Sequence, residues 1–203
     1  MSLLLLIRHA VTDQTGKRLY GRTPGVRISE LGRRQTEALA RHLERVKLAA
    51  LYSSPLERCL ETAEAIAAGR RLSPTVLPGF NEVDYGDWAG RTFGSLARMR
   101  AWRTIRSRPS MARFPGGETL VEAQARSVGA LEEVAARHPR RTVAVVTHGD
   151  VIRLSLAHFA GVHIDLYQRL EVSPASVTVL ALGDGGPRVL RVNDTGSLAD
   201  LTG

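Results

Sequence analysis

The residues best suited to do chemistry are two histidines and two arginines placed where extended runs give way to turns. One apolar run ends in Ile7-Arg8-His9-Ala10, and another ends in Val146-Thr147-His148-Gly149-Asp150. In open α/β sheets ligands bind beyond the carboxyl ends of the strands, so two such runs lying side by side bring both imidazoles to one place. A third segment, Leu51-Tyr52-Ser53-Ser54-Pro55-Leu56-Glu57-Arg58, reads as strand, turn and first helical turn. It aims Arg58 and the unpaired amides of a helix start at the same end of the sheet. Planar guanidiniums bind phosphate oxygens in paired contacts, and a neutral imidazole is a competent covalent catalyst near pH 7. Together the four side chains point to a phosphate-type anion.

The elements that must hold these residues are legible as apolar runs alternating with helical patterns, the signature of βαβ units around a mostly parallel sheet. Strands are predicted over residues 3–8, 49–53, 75–77, 142–147 and 176–182, with a late edge strand near 189–192. The runs 3–7 and 143–146 are apolar at every position, as expected of strands covered on both faces, and both should be central. The first helix takes Ser29 as N-cap, the second runs over about 55–68 with Pro55 in its first turn, and a fourth carries Val151 to Phe159 after Asp150. The third, over about 119–138, has Thr119 and Glu122 at capping-box spacing. The pattern predicts a three-layer α/β/α sandwich, with residues 1–203 forming one domain and a lid-like excursion at about 86–117. Within that excursion Arg98, Arg100, Arg103, Arg106, Arg108 and Arg113 alternate with Met99, Trp102 and Ile105. This reads as a basic helix with one apolar side and a solvated arginine face.

Composition narrows the function classes. At 203 residues, 43% hydrophobic and 24% charged, the chain is neither a disordered segment nor a repeat array. Cys59 is its one cysteine, which excludes a disulfide scaffold, and it reads as buried and inert. The cytoplasm is the default compartment. Leu3 to Ile7 is too short to span a bilayer and lacks a basic leader and cleavage site, so no membrane association is expected. The formal net charge of +8 raises nucleic acid as a partner. The arginines are spread along the chain, however, and no zinc-finger, RNP or basic-zipper pattern accompanies them, so nucleic acid is not the expected partner.

Leu6-Ile7-Arg8-His9-Ala10-Val11-Thr12 resembles the Arg-His-Gly-Glu-Thr signature of the histidine phosphatase superfamily, whose best-known branch is the cofactor-dependent phosphoglycerate mutases. The resemblance continues in order through Leu31-Gly32-Arg33-Arg34-Gln35, Ser53 to Ala63, Asn81 to Gly90, Pro115-Gly116-Gly117-Glu118-Thr119 and Thr147 to Arg153. Ala10 stands for the signature glycine, Val11 for the following acid, Thr15 where many members carry Asn, and Ala89 for an acidic residue in the Trp88-x-Gly90 turn. These departures bear on the substrate more than on the reaction.

The resemblance implies a phosphoglycerate mutase-like fold and a phosphatase that acts on a small phosphorylated metabolite, with neither cofactor nor metal. His9 would be the nucleophile that becomes phosphorylated, with Arg8, Arg58 and a protonated His148 stabilising the transferring group. Glu82 would be the proton donor and then the base, its pKa raised by nearby phosphate charge; Asp84, two residues on, competes for that role. Thr15, Gly21 and Gly149 would complete the substrate site, and residues 98–113 would form a lid over it. A phosphomutase shares the same intermediate, but the modest chain length favours hydrolysis. A metallohydrolase built on His9, His148 and Asp150 is a further reading, and so is a non-catalytic phospholigand or nucleic-acid binder, which needs neither His9 nor Glu82. Trp88 reads as a packing anchor, and His42, His138, His158 and His163 as ordinary histidines. No heptad or apolar stripe specifies an oligomeric state.

Overall fold

The computed structural model describes residues 1–196. In chain order its elements are β1 (Ser2–Arg8), β2 (Arg18–Leu19), α1 (Glu30–His42), β3 (Ala50–Ser53), α2 (Glu57–Ala67), β4 (Thr75–Val76) and β5 (Arg91–Thr92). They continue with α3 (Phe93–Ala97), α4 (Arg100–Ser107), α5 (Leu120–Arg137), β6 (Thr142–Thr147), α6 (Gly149–Phe159), β7 (Val177–Leu182) and β8 (Arg188–Asp194). The main sheet runs in the order β4-β3-β6-β1-β7-β8, parallel from β4 to β1 and antiparallel at β7 and β8. The two fully apolar runs therefore sit side by side at its centre.

Successive side chains of a strand point to opposite faces, and β1 shows how each face is covered. Leu5 and Ile7 pack with Leu39 of α1, with Leu43 at its C-terminal cap, and with Cys59, Ala63 and Ile66 of α2. Leu4 and Leu6 pack with Leu131 and Val134 of α5 and with Ile152 and Leu156 of α6. This is the three-layer α/β/α sandwich expected from the sequence. A third cluster, with Trp88, Leu96, Ile105, Phe114, Leu120 and Tyr167, anchors the excursion to α5 and α6. Trp88 is buried and lies 5.6 Å from Phe114 in an edge-on ring contact, as a packing anchor should.

Local chemistry sets the helix starts. Ser29 caps α1 by accepting from the Gly32 amide, and Thr119 and Glu122 form a complete capping box on α5. Two starts differ from the expected ones. Helix α2 begins at Glu57 rather than Pro55, because Leu56 keeps an extended backbone as the N-cap. Helix α6 begins at Gly149 rather than after Asp150, because His148 is its N-cap, so Asp150 lies in the first turn. In the excursion Ile105 is buried and all six arginines are exposed, as a basic helix with one apolar side requires. No helix among the described residues is long and apolar enough to cross a membrane.

Candidate active site

The register of the central strands brings the predicted residues together. Arg8 of β1 pairs with Thr147 of β6, so His9 and His148 leave adjacent strand ends, and their rings stand 5.3 Å apart between centroids. The Ser54 amide donates to the Val146 carbonyl, which brings the start of α2, and with it Arg58, to the same edge. A cavity of about 310 Å³ opens there, lined among others by Arg8, His9, Glu82, Gly149 and Asp150.

His9 is buried, and its Nδ1 lies 2.7 Å from the Ala10 carbonyl oxygen. A carbonyl can only accept, so Nδ1 carries the proton and Nε2 keeps its lone pair. Burial, followed by the Arg58 and Arg8 charges, holds the ring well below the usual imidazole range and therefore neutral near pH 7.

His148 is fully buried and corrects one expectation. Arg58 Nη2, which can only donate, lies 3.2 Å from its Nδ1, so Nε2 carries the proton and donates to Ser54 Oγ at 2.8 Å. Burial, then Arg58 and His9, push its pKa well down, so the ring is neutral in the free protein rather than protonated. A third cation beside two guanidiniums would need an anion to offset it.

The arginines supply that demand for an anion. Arg58 is fully buried: Nη2 donates to the Gly21 carbonyl at 2.8 Å, Cζ stacks 4.7 Å from the Tyr20 ring centroid, and Nε and Nη1 have no partner among the described residues. Arg8 Nη1 donates to the Val172 carbonyl at 2.6 Å, while its buried Nε is also unpartnered. A Cβ on Gly149 would lie 3.2 Å from Arg8 Nε, so the missing side chain lets Arg8 lie against the start of α6. Buried N–H groups of a cation are not left open without cost. Arg8 lines the cavity, whereas Arg58 and His148 lie behind its wall, in contact with each other.

Glu82 is 8% exposed; its Oε1 accepts from the Val83 amide at 2.9 Å, and its Oε2 lies 3.7 Å from His148 Nδ1. Burial, and next the Asp150 carboxylate, push its carboxyl up to about 7, so the rise precedes any bound phosphate. Asp84 is no competitor. It lies outside the cavity wall, pairs with Arg22 at 3.4 Å and accepts from the Gly86 amide.

Thr15 lines the cavity, and its Oγ1 accepts from the Thr12 amide at 2.9 Å. Gly21 also lines it, at φ +51°, where a Cβ would strike Tyr85 at 2.7 Å. Arg106 and Trp102 of α4 reach the cavity edge, Arg106 while remaining exposed. Sequence reasoning passed over Tyr20, for which the sequence carries no local signal, and Ser54, which lay inside a motif already noted. It also passed over the chain from Tyr85 Oη to Asp150 (2.8 Å) and on to Arg153 (3.2 Å), whose i,i+3 carboxylate–guanidinium spacing was a usable signal.

The remaining candidates are structural. His138 bonds Tyr52 Oη at 2.9 Å, and His163 accepts from the Asp165 amide. Cys59 is buried 3.5 Å from His148 Nε2, and burial pushes its thiol far up, away from thiolate chemistry. Among the described residues no three His, Cys, Asp or Glu side chains are grouped to hold a metal ion.

Comparison with known proteins agrees with this geometry. The chain is 31% identical to phosphoserine phosphatase 1 of Hydrogenobacter thermophilus, over 99% of this chain and 96% of that protein. Its fold superposes on Bacillus stearothermophilus YhfR with a TM-score of 0.90 at 30% identity, covering 96% of this chain and 98% of the other. It superposes on a mycobacterial glucosyl-3-phosphoglycerate phosphatase with a TM-score of 0.85 at 28% identity, covering 95% and 98%. The family model for the histidine phosphatase superfamily (branch 1) matches residues 4–195, and the chain belongs to that family.

Proposed function

We propose that this protein hydrolyses a small phosphomonoester through a phosphohistidine formed on His9. The observation that carries the reading is a neutral, buried His9 in the cavity wall with the Arg58 and Arg8 charges acting on it, both guanidiniums keeping unpartnered buried N–H groups. Phosphoryl transfer needs positioned positive donors more than covalent assistance, and the two guanidiniums meet that need without a metal.

His9 Nε2 attacks phosphorus while the bond to the leaving oxygen breaks, and Glu82, protonated, gives that oxygen its proton. Glu82, now ionised, takes a proton from water as the water oxygen attacks phosphorus and the P–N bond breaks. Phosphate leaves, and His9 and Glu82 return to their starting states. Arg8, Arg58 and the Gly149 amide hold the phosphoryl oxygens throughout. A pure phospholigand binder has no use for a neutral nucleophile and a protonated carboxyl in one cavity. Two of the three relatives are named as phosphatases, which favours water over a second hydroxyl as the acceptor. The substrates in those two names place phosphoserine and phosphorylated glyceric acids first in a substrate panel.

The test is a phosphate-release screen over metabolite phosphates with a chelator present, followed by quenching to trap the phosphoenzyme. Turnover in chelator, with an acid-labile, base-stable phosphoprotein that disappears in His9→Ala, is expected. Undiminished release by His9→Ala, or turnover that requires an added divalent metal, would refute it.

A further inference from the structure

Glu82 lies in an irregular stretch between short 3-10 turns at Pro78–Phe80 and Gly86–Trp88, so neither a helix nor a strand ladder fixes its backbone. That backbone is held instead by charged side chains from three other parts of the chain. Arg126 of α5 donates through Nη1 to the carbonyls of Gly79 (2.8 Å) and Asn81 (2.9 Å), and its Nη2 lies 3.4 Å from the Glu82 carbonyl. Arg22 Nε donates to the same Glu82 carbonyl at 2.8 Å. Glu118 joins the two cations: its Oε1 accepts from Arg126 Nη2 at 2.7 Å, from Arg22 Nη2 at 3.1 Å and from the Asp84 amide at 2.9 Å.

None of these three side chains lines the cavity. Glu118 and Arg126 are mostly buried, at 16% and 22% side-chain exposure, and the removal of one partner leaves the others' charges under-compensated. The two arginines bind carbonyls of the segment that carries the carboxyl and Glu118 accepts from its Asp84 amide, and the Glu82 side chain is then set locally by the Val83 amide.

We infer that Glu118, Arg126 and Arg22 form a clamp of positioning residues that fixes where the Glu82 carboxyl meets the leaving-group oxygen. The inference rests on the reading of Glu82 as the proton donor. Catalytic groups lose about 10²-fold for misplacement of about 1 Å, so a loosened clamp should weaken proton donation without abolishing phosphoryl transfer.

Leaving-group dependence separates this role from a merely structural one. An alkyl phosphate needs a proton on its departing oxygen, whereas p-nitrophenyl phosphate does not. The parameter kcat/KM stops at the first irreversible step, so it is blind to the later hydrolysis of the phosphoenzyme. Glu118→Gln and Arg126→Met should each lower kcat/KM about 10- to 100-fold on the alkyl ester and less than about 3-fold on the aryl ester, with partial rescue in Arg126→Lys. Glu82→Gln should show the same selectivity more strongly, and adding Glu118→Gln to it should cost little more. Where Glu118→Gln fails to fold, Arg22→Gln, a side chain 33% exposed, carries the same prediction. Equal losses on both esters, or no loss on either, would overturn the clamp. A Glu82→Gln variant that loses both esters equally would instead overturn the proton-donor reading on which the clamp rests.

Discussion

Glu82→Gln should stabilise the protein while disabling it, and the effect should grow with pH. Burial and the Asp150 carboxylate raise the Glu82 carboxyl from 4.5 to about 7 on folding. A raised acid binds its proton more tightly in the folded state, so its stability contribution is fully present below about 4.5 and is lost as the pH climbs to about 7. A gap of that size corresponds to about 3 kcal/mol. Glutamine mimics the neutral carboxyl and does not titrate. The variant should therefore match wild type near pH 4.5, apart from a constant offset, and gain about 3 kcal/mol on it by pH 8. For a chain of this size that corresponds to a Tm about 6–12 °C higher. His9 and His148 are pushed down by burial, so they impose the opposite slope, with stability lost as pH falls below the imidazole range. Both histidines are present in both proteins and cancel in the difference. Urea unfolding at a series of pH values measures it. A difference that stays flat, or one in which glutamine becomes the less stable residue as pH rises, would mean that Arg8 and Arg58 hold Glu82 ionised, and the acid assignment would fall.

Two further outcomes follow from the same geometry. The kcat/KM for an alkyl phosphate should decline about tenfold per pH unit above about 7, as Glu82 loses its proton, while its acid limb lies below the usual imidazole range because His9 is pushed down. A plateau extending to pH 9 would contradict this. Gly86→Ala should destabilise by about 2–3 kcal/mol, because a Cβ at this φ +50° position would sit 2.1 Å from the Pro115 carbonyl oxygen, a backbone atom that cannot swing aside. An unshifted urea midpoint would show that the turns at 86 and 117 do not pack as described.

Much of the fold was legible because it is written in neighbouring residues. The all-apolar runs ending at His9 and His148 identified the central strands, Ser29 and Thr119 marked helix starts by capping chemistry, and strand-end placement singled out Arg8, Arg58 and the two imidazoles. Tertiary structure decided what depends on groups distant in the chain. His148 is neutral because Arg58 and His9 close in on it where water cannot, and Glu82 rather than Asp84 is the buried acid because Arg22 draws Asp84 away. The Ser54 hydroxyl is bound by a histidine more than ninety residues on. Pattern and propensity are local properties, whereas charge state and side-chain commitment are set by burial and by through-space neighbours, which exist only once the chain has folded.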